Sequence, residues 1–148
     1  MEKIQIREAV EDDFRAIVEL FREFALFEHL PEMMTNSVEL MKREREFFNC
    51  FVAVNSANEI IGYATWFFAY YTWTGKSLYM DDLYVKERFR GAGIGTMLIQ
   101  KIADFAMESD CHLMRWQVSD WNAPAIGFYK SLGAMVNNIE RNCDLKLT

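Results

Sequence analysis

The stretch from Ile60 to Val85 constrains the fold more than any other part of the chain. It holds two long apolar runs, "IIGYATWFFAY" and "KSLYMDDLYV", on either side of "YTWTG". The first run is apolar at odd and even positions alike, a pattern a strand adopts when both its faces are covered. The second returns after a turn, so the pair predicts an antiparallel hairpin at the centre of a sheet. Upstream, "KIQIREA" alternates polar and apolar residues and reads as a strand. Phe14, Ile17, Val18, Phe21, Phe24 and Ala25 follow helical spacing, with Glu11, Asp12 and Asp13 at the favourable N-terminal end. "FEHLPE" ends that helix ahead of Pro31. Val38, Leu40, Met41 and Phe47 suggest a second, weaker helix, "CFVAVN" a strand and "SANE" a turn.

Downstream, Ile94, Met97, Leu98, Ile102 and Phe105 share one helical face, and "HLMRWQVS" reads as a strand. "NAPAIGFYKSLG" has the marks of a short helix: an Asn cap, Pro in the first turn and Gly just past the end. The tail "AMVNNIERNCDLKL" reads as one or two final strands. The sum is an α/β chain, a mixed and mostly antiparallel sheet with helices on both faces. With 148 residues and no linker, repeat or low-complexity tract, residues 1–148 read as a single domain.

Composition narrows the function. No stretch approaches the roughly 20 uncharged apolar residues of a membrane span, and the charged start "MEKIQIREAVEDDF" lacks a leader's apolar run. A cytoplasmic location with no membrane partner is the expectation. Cys50, Cys111 and Cys143 form no CxxC pair, and His29 and His112 are far apart, so neither a metal site nor a disulfide framework is expected. A net charge of −6 argues against nucleic acid as a partner and suits a cationic small molecule.

The sharpest local signal is "RFRGAGIGT", Arg88 to Thr96, between a strand and a helix. Gly91, Gly93 and Gly95 let main-chain amides approach an anion without obstruction by a Cβ. The helix start adds unpaired N–H groups and a positive dipole end, and Arg88 and Arg90 add charge beside it. Such a device binds a pyrophosphate. It lacks the Lys of a Walker loop, and its Gly-x-Gly-x-Gly spacing differs from the Gly-x-Gly-x-x-Gly of dinucleotide folds.

Arg88-x-x-Gly91-x-Gly93 resembles the coenzyme A pyrophosphate loop of the GCN5-related N-acetyltransferase (GNAT) superfamily, and the resemblance covers nearly the whole chain. "WTGKSLYMDDLYV", "RGAGIG" and "WNAPAIGFYKSLGA" are most similar to the diamine (spermidine/spermine) and thialysine acetyltransferase branch. The resemblance implies a GNAT fold with a splayed pair of central strands, acetyl-CoA as co-substrate, no metal, and a homodimer. It places the thioester beside "LYMDDLYV", where backbone groups of Leu83, Tyr84 and Val85 would hold the pantetheine arm. A backbone N–H aimed at the acetyl carbonyl would stabilise the developing oxyanion. Arg88, Arg90, Gly91, Ala92, Gly93, Ile94, Gly95 and Thr96 would hold the pyrophosphate. Asn122, besides capping its helix, would bond a pantetheine amide. Tyr129 would lie near the coenzyme sulfur and protonate the departing thiolate.

An alkylamine resembles Lys in basicity, so something must take its proton before it attacks. Asp81 and Asp82 are adjacent acids in an apolar strand, and regular alternation sends them to opposite faces. In the resembling branch a Glu stands where Asp81 does and acts as a base through water; the role passes to Asp81, with Asp82 the second candidate. A further Glu in that branch holds the distal ammonium and matches Glu28 in "FALFEHLPE", with Glu32 less supported. Phe27 and Trp73 could supply rings for cation–π contact with the same ammonium. Long-polyamine enzymes bring another acid from a longer C-terminal region; here Glu140 is the only tail glutamate, which leaves short diamines, lysine analogues and amino acids in view. The expected activity is N-acetylation of a small cationic amine by direct attack in a ternary complex. A peptide, protein or aminoglycoside acceptor is one alternative, and a non-catalytic acyl-CoA-binding module another.

Overall fold

The structure, a computed structural model, describes residues 2–148. The chain divides into two compact units, one ending at Trp116 and one beginning at Gln117.

The first unit is built on a five-stranded sheet: β1 (Gln5–Glu8), β2 (Asn49–Val54), β3 (Ile60–Tyr71), β4 (Gly75–Val85) and β5 (Leu113–Arg115), in that spatial order. The first four pair antiparallel with their neighbours, and β5 joins β4 in parallel. Helices α1 (Phe14–Phe27), α2 (Val38–Arg43) and α3 (Ile94–Glu108) complete it. Tyr63 and Trp66 are three residues apart on β3 and so face opposite sides. On Tyr63's side, α1 sets Phe21 against Tyr63 at 5.1 Å and stacks Phe24 on Tyr84 at 5.3 Å. On Trp66's side, Phe105 of α3 lies 4.7 Å from Trp66 and 6.1 Å from Phe51. Each such aromatic pair adds about 0.5–1.5 kcal/mol beyond area burial. The two rings of contacts clamp the sheet between α1 and α3. At the N-terminal end, Asp13 is buried, accepts two guanidinium bonds from Arg7 at 2.7 and 3.0 Å, and accepts the Val10 N–H at 2.8 Å. Those bonds, Arg7's first, hold its carboxyl below the usual carboxylate range.

Several expectations are corrected. Regular alternation along β4 fails at Asp81, as described below. The double cover of β3 holds over Ile60–Trp66 and then gives way, leaving Phe67, Phe68 and Tyr70 exposed. The cover thins rather than ending at once, for Phe68 still meets Phe105 of α3 at 5.9 Å. On α3, Ile94, Leu98, Ile99, Ile102 and Ala106 are buried while Met97 is exposed, because at 3.6 residues per turn Met97 falls well off that stripe.

The second unit contains α4 (Ala123–Ser131). Asn122 Oδ1 accepts the Ala125 N–H at 3.3 Å, Pro124 lies in the first turn, and Gly133 (φ +93°) follows the end. The helix signals in the sequence are therefore met one by one. The final strands are not: residues 134–148 form no strand, and Met135, Ile139, Leu145 and Leu147 stay exposed. A strand is stable only beside a partner edge, and this unit offers none. "HLMRWQVS" yields only the three residues of β5, which pair with Ser77–Tyr79.

Candidate active site

The register of β3 and β4 breaks at the acid pair. Trp66 lies opposite Met80, and Thr65 lies opposite Asp82, so Asp81 is an extra residue on β4. This is a β-bulge. It changes which way the carboxylates face. Met80 shares the face of Trp66, whereas Asp82 shares that of Thr65, Tyr63 and Tyr84, the α1 face. Asp81 follows Tyr79, which stacks on Phe67 on that same face. The bulge thus turns both acids to one side, and the expected divergence of Asp81 and Asp82 is overturned. The bulge also removes a ladder partner for the Asp82 N–H, and the Thr65 hydroxyl accepts that N–H instead, at 3.1 Å.

The pair's environments differ. Asp82 is half-buried; burial, then the neighbouring Asp81 charge, pushes its pKa up to about 7, Glu28 adding to the rise. Tyr63 opposes this by donating its hydroxyl to Asp82 Oδ2 at 3.3 Å. Asp81 opens to solvent, and partial desolvation raises its pKa too. Glu28 directly follows α1, half-buried, close enough to act electrostatically on Asp82. Three carboxylates therefore converge on the α1 face, a setting that holds a cation or stores a proton.

On its other edge β4 pairs with β5 only from Ser77 to Tyr79, so Met80–Val85 is left splayed from β5. Lys86 N–H donates to Ile61 O at 2.8 Å. In an antiparallel ladder this makes Tyr84 a hydrogen-bonded residue toward β3 and turns the peptide groups of Leu83 and Val85 to the splayed edge. Arg90 agrees: its Nε donates to Val85 O at 2.8 Å from that outer side. The loop beyond begins with a short 3-10 turn, Glu87–Phe89, and leads into α3. Gly91 (φ +84°) and Gly93 (φ +81°), the N-cap of α3, are left-handed, and a Cβ at either would meet no atom within 4 Å. Open left-handed glycines before a 15-residue helix, beside a splayed strand edge, fit a pantetheine pyrophosphate. Ala92 and Thr96 are exposed, Gly95 is half-buried, and Ile94 is anchored in the core.

The arginines are less available than their charge suggests. Arg88 pairs with Glu59 at 2.9 Å, and Lys86 shares that carboxylate at 3.2 Å. Arg90 lies over the rings of Phe27 at 4.9 Å and Tyr84 at 5.3 Å. Phe27 thus faces a protein cation, and it tethers the end of α1 to the loop. Trp73, 98% exposed, sits at the tip of the β3–β4 hairpin; eight residues of strand put it about 26 Å from Asp81. The structure does not bring it to the acids of its own chain. Asn122 caps α4, and Tyr129, buried, lies within that helix. Sequence reasoning missed Tyr63 and Thr65 and ranked Asp82 below Asp81. The available signal was a Tyr and a Thr two residues apart within an otherwise apolar strand.

Two open clefts of about 420 and 410 Å³ lie elsewhere, one beside Asp12, Glu19, Glu23 and Glu59, the other beside Arg7, Lys101 and Glu108. Neither is lined by Asp81, Asp82 or the glycine loop. Cys50 is buried and burial pushes its thiol up, the reverse of an activated nucleophile. Among the described residues no group of three or more His, Cys, Asp or Glu is placed to hold a metal. Nor, among them, is any helix long and apolar enough to cross a membrane.

Known proteins resemble this chain in sequence and in fold. A thialysine N-epsilon-acetyltransferase of Mus musculus is 39% identical over 145 residues, covering 90% of this chain and 85% of its own. The human spermidine/spermine N(1)-acetyltransferase-like protein 1 is 32% identical over 91% of this chain and 21% of its own. Among solved structures, an aminoglycoside acetyltransferase from an uncultured soil metagenomic sample, in complex with sisomicin, has a TM-score of 0.80 at 22% identity, covering 97% of each chain. The model of the acetyltransferase (GNAT) family, whose members use acetyl-CoA, matches residues 14–134. Both the splayed, glycine-flanked strand and these likenesses lead to one statement: this chain belongs to the GNAT family and is an acetyl-transfer enzyme.

Proposed function

We propose that the protein acetylates a primary amine of a small cationic acceptor, a short diamine or lysine-like amino acid, on the α1 face of β4. The observation that carries this reading is the bulge, which gathers Asp81 and Asp82 on one face near Glu28. Carboxylates gathered on one face draw a positive charge toward them, and the thialysine acetyltransferase likeness points to the same substrate class. We further propose that residues 1–148 act as one acetyltransferase domain, since the family match runs through both units.

Acetyl-CoA supplies the activated acetyl thioester. The main chain of Leu83, Tyr84 and Val85 lines the arm, and an N–H of Leu83 or Val85 can donate to the acyl oxygen as negative charge grows there. Gly91, Ala92, Gly93, Ile94, Gly95 and Thr96 offer amides to the pyrophosphate. For Arg88 the observed pairing with Glu59 favours a supporting role; Arg90 holds Val85 O and steadies the loop.

Glu28 and Asp81 attract the acceptor's ammonium. Asp82 takes a proton from the attacking nitrogen: the N–H bond breaks, an O–H bond forms on the carboxylate, and the freed lone pair attacks. The structural support moves this step from Asp81 to Asp82, whose pKa of about 7 suits a general base at neutral pH. Asp81, open to solvent, then provides the outlet. Tyr129 as the acid toward the leaving thiolate and Asn122 as a pantetheine contact rest on the sequence match alone. The inert Cys50 favours direct attack over an acyl-enzyme.

The test is thiol release from acetyl-CoA with a panel of diamines, lysine analogues, aminoglycosides and peptides. Turnover by the small dications, at least tenfold above peptides in kcat/KM, is expected. Preference for peptides, or binding of acetyl-CoA without turnover of any amine, contradicts the reading.

We also propose a homodimer in the cytoplasm. Tyr70 (79% exposed) and Trp73 (98% exposed) leave large rings in water at the hairpin tip, the kind of surface a second copy covers.

A further inference from the structure

Tyr63 is completely buried, its ring edge-on to Phe21 at 5.1 Å and tilted against Tyr84 at 6.2 Å. A phenylalanine would fill that space without carrying a hydroxyl out of water. A buried hydroxyl needs a partner, and this one finds Asp82 Oδ2 at 3.3 Å. The contact spans β3 and β4 at the bulge, where ordinary ladder bonds fail. A second fastening lies beside it, the Asp82 N–H on Thr65 Oγ1 at 3.1 Å. Side chain and main chain of one aspartate are thus both held by β3.

We propose that Tyr63 is a positioning residue for the transfer reaction: its buried hydroxyl fixes the Asp82 carboxylate on the acceptor face and favours its proton-accepting form. The inference rests on the reading of Asp82 as the base.

The groups facing Asp82 act in opposed directions. Asp81 on the same strand and Glu28 beyond α1 favour a bound proton, while the Tyr63 hydroxyl favours the free carboxylate. Tyr79 on β4 and Cys50 on β2 complete the titratable surroundings. Burial, followed by the Asp82 charge, pushes the Tyr63 phenol well above its ordinary range, so it keeps its proton and remains a donor throughout the working pH range. It therefore cannot take the acceptor's proton itself. Its effect passes through the carboxylate it holds.

The experiment compares wild type with Tyr63→Phe in the full chain, by two readouts. One is the midpoint of the Asp82 carboxyl in a carbon-13 NMR titration without substrate. The other is the acid limb of kcat/KM for the best amine. Both are expected to move to higher pH by about half a unit, so kcat/KM falls about threefold on the acid limb and stays within twofold on the alkaline plateau. A purely structural role would lower activity equally at every pH. Site-specific 3-fluorotyrosine at 63, a stronger donor of nearly the same size, should move both midpoints down and serves if the Phe variant does not fold. Unmoved midpoints in both variants overturn the proposal. A shifted carboxyl titration with an unshifted rate profile also overturns it, while leaving the hydrogen bond intact. Absence of any amine turnover overturns the underlying functional reading as well, and the NMR arm tells the two failures apart.

Discussion

At the scale of single residues, Asp82, the proposed base, also carries a cost in stability. Its folded pKa of about 7 lies above the ordinary aspartate value near 3.8. Between those pH values the folded protein keeps a proton that the unfolded chain has released. Stability contributed by this group is therefore lost as pH rises across that window, and is already lost at pH 8. Asp82→Asn removes the titration. It should raise the unfolding free energy at pH 8 by about 1–3 kcal/mol, read from denaturant melts, while lowering kcat/KM at least a hundredfold. A variant that loses both stability and activity would mean that Asp82 serves packing. The two acids themselves were legible in the sequence. Their ranking was not, because the Tyr63 contact comes from β3, 19 residues away in the chain.

At the scale of elements, one inserted residue decides the site. Alternation predicts that neighbouring strand residues diverge, and no composition rule announces a bulge between Thr65 and Trp66. Where local signals are strong, sequence and structure agree: Asn122, Pro124 and Gly133 bound α4, and Gly91 and Gly93 take the left-handed turn before α3. Where an element depends on a partner edge, as in the tail after Gly133, apolar residues alone did not make a strand. The close approach of β3 and β4 can be tested directly. A Cβ at Gly62 would stand 2.9 Å from Tyr84 O. Gly62→Ala should push the strands apart beside Leu83 and Val85, costing about 1–3 kcal/mol in stability. It should also weaken acetyl-CoA binding in calorimetry. Unchanged affinity would separate that strand edge from the coenzyme.

At the scale of the whole molecule, the long hairpin, the glycine loop and the helix signals were enough to fix the family, because each is a local pattern with a local physical cause. The exposed hairpin tip was not legible, since the same aromatic run that reads as core in a sequence is core only where α1 and α3 reach it. A double substitution, Tyr70→Ser with Trp73→Ser, should turn the proposed dimer into a monomer in light scattering; a wild type that is already monomeric, or a variant of unchanged mass, would contradict that interface. The central claim is that a bulge-borne aspartate titrating near neutrality accepts the acceptor's proton. Its most direct test is kcat/KM against pH, from 5 to 10, for wild type and Asp82→Asn with saturating acetyl-CoA. The account predicts an acid limb with a midpoint near 7 in the wild type and its disappearance in the variant. A variant that keeps both the limb and most of the rate would contradict it.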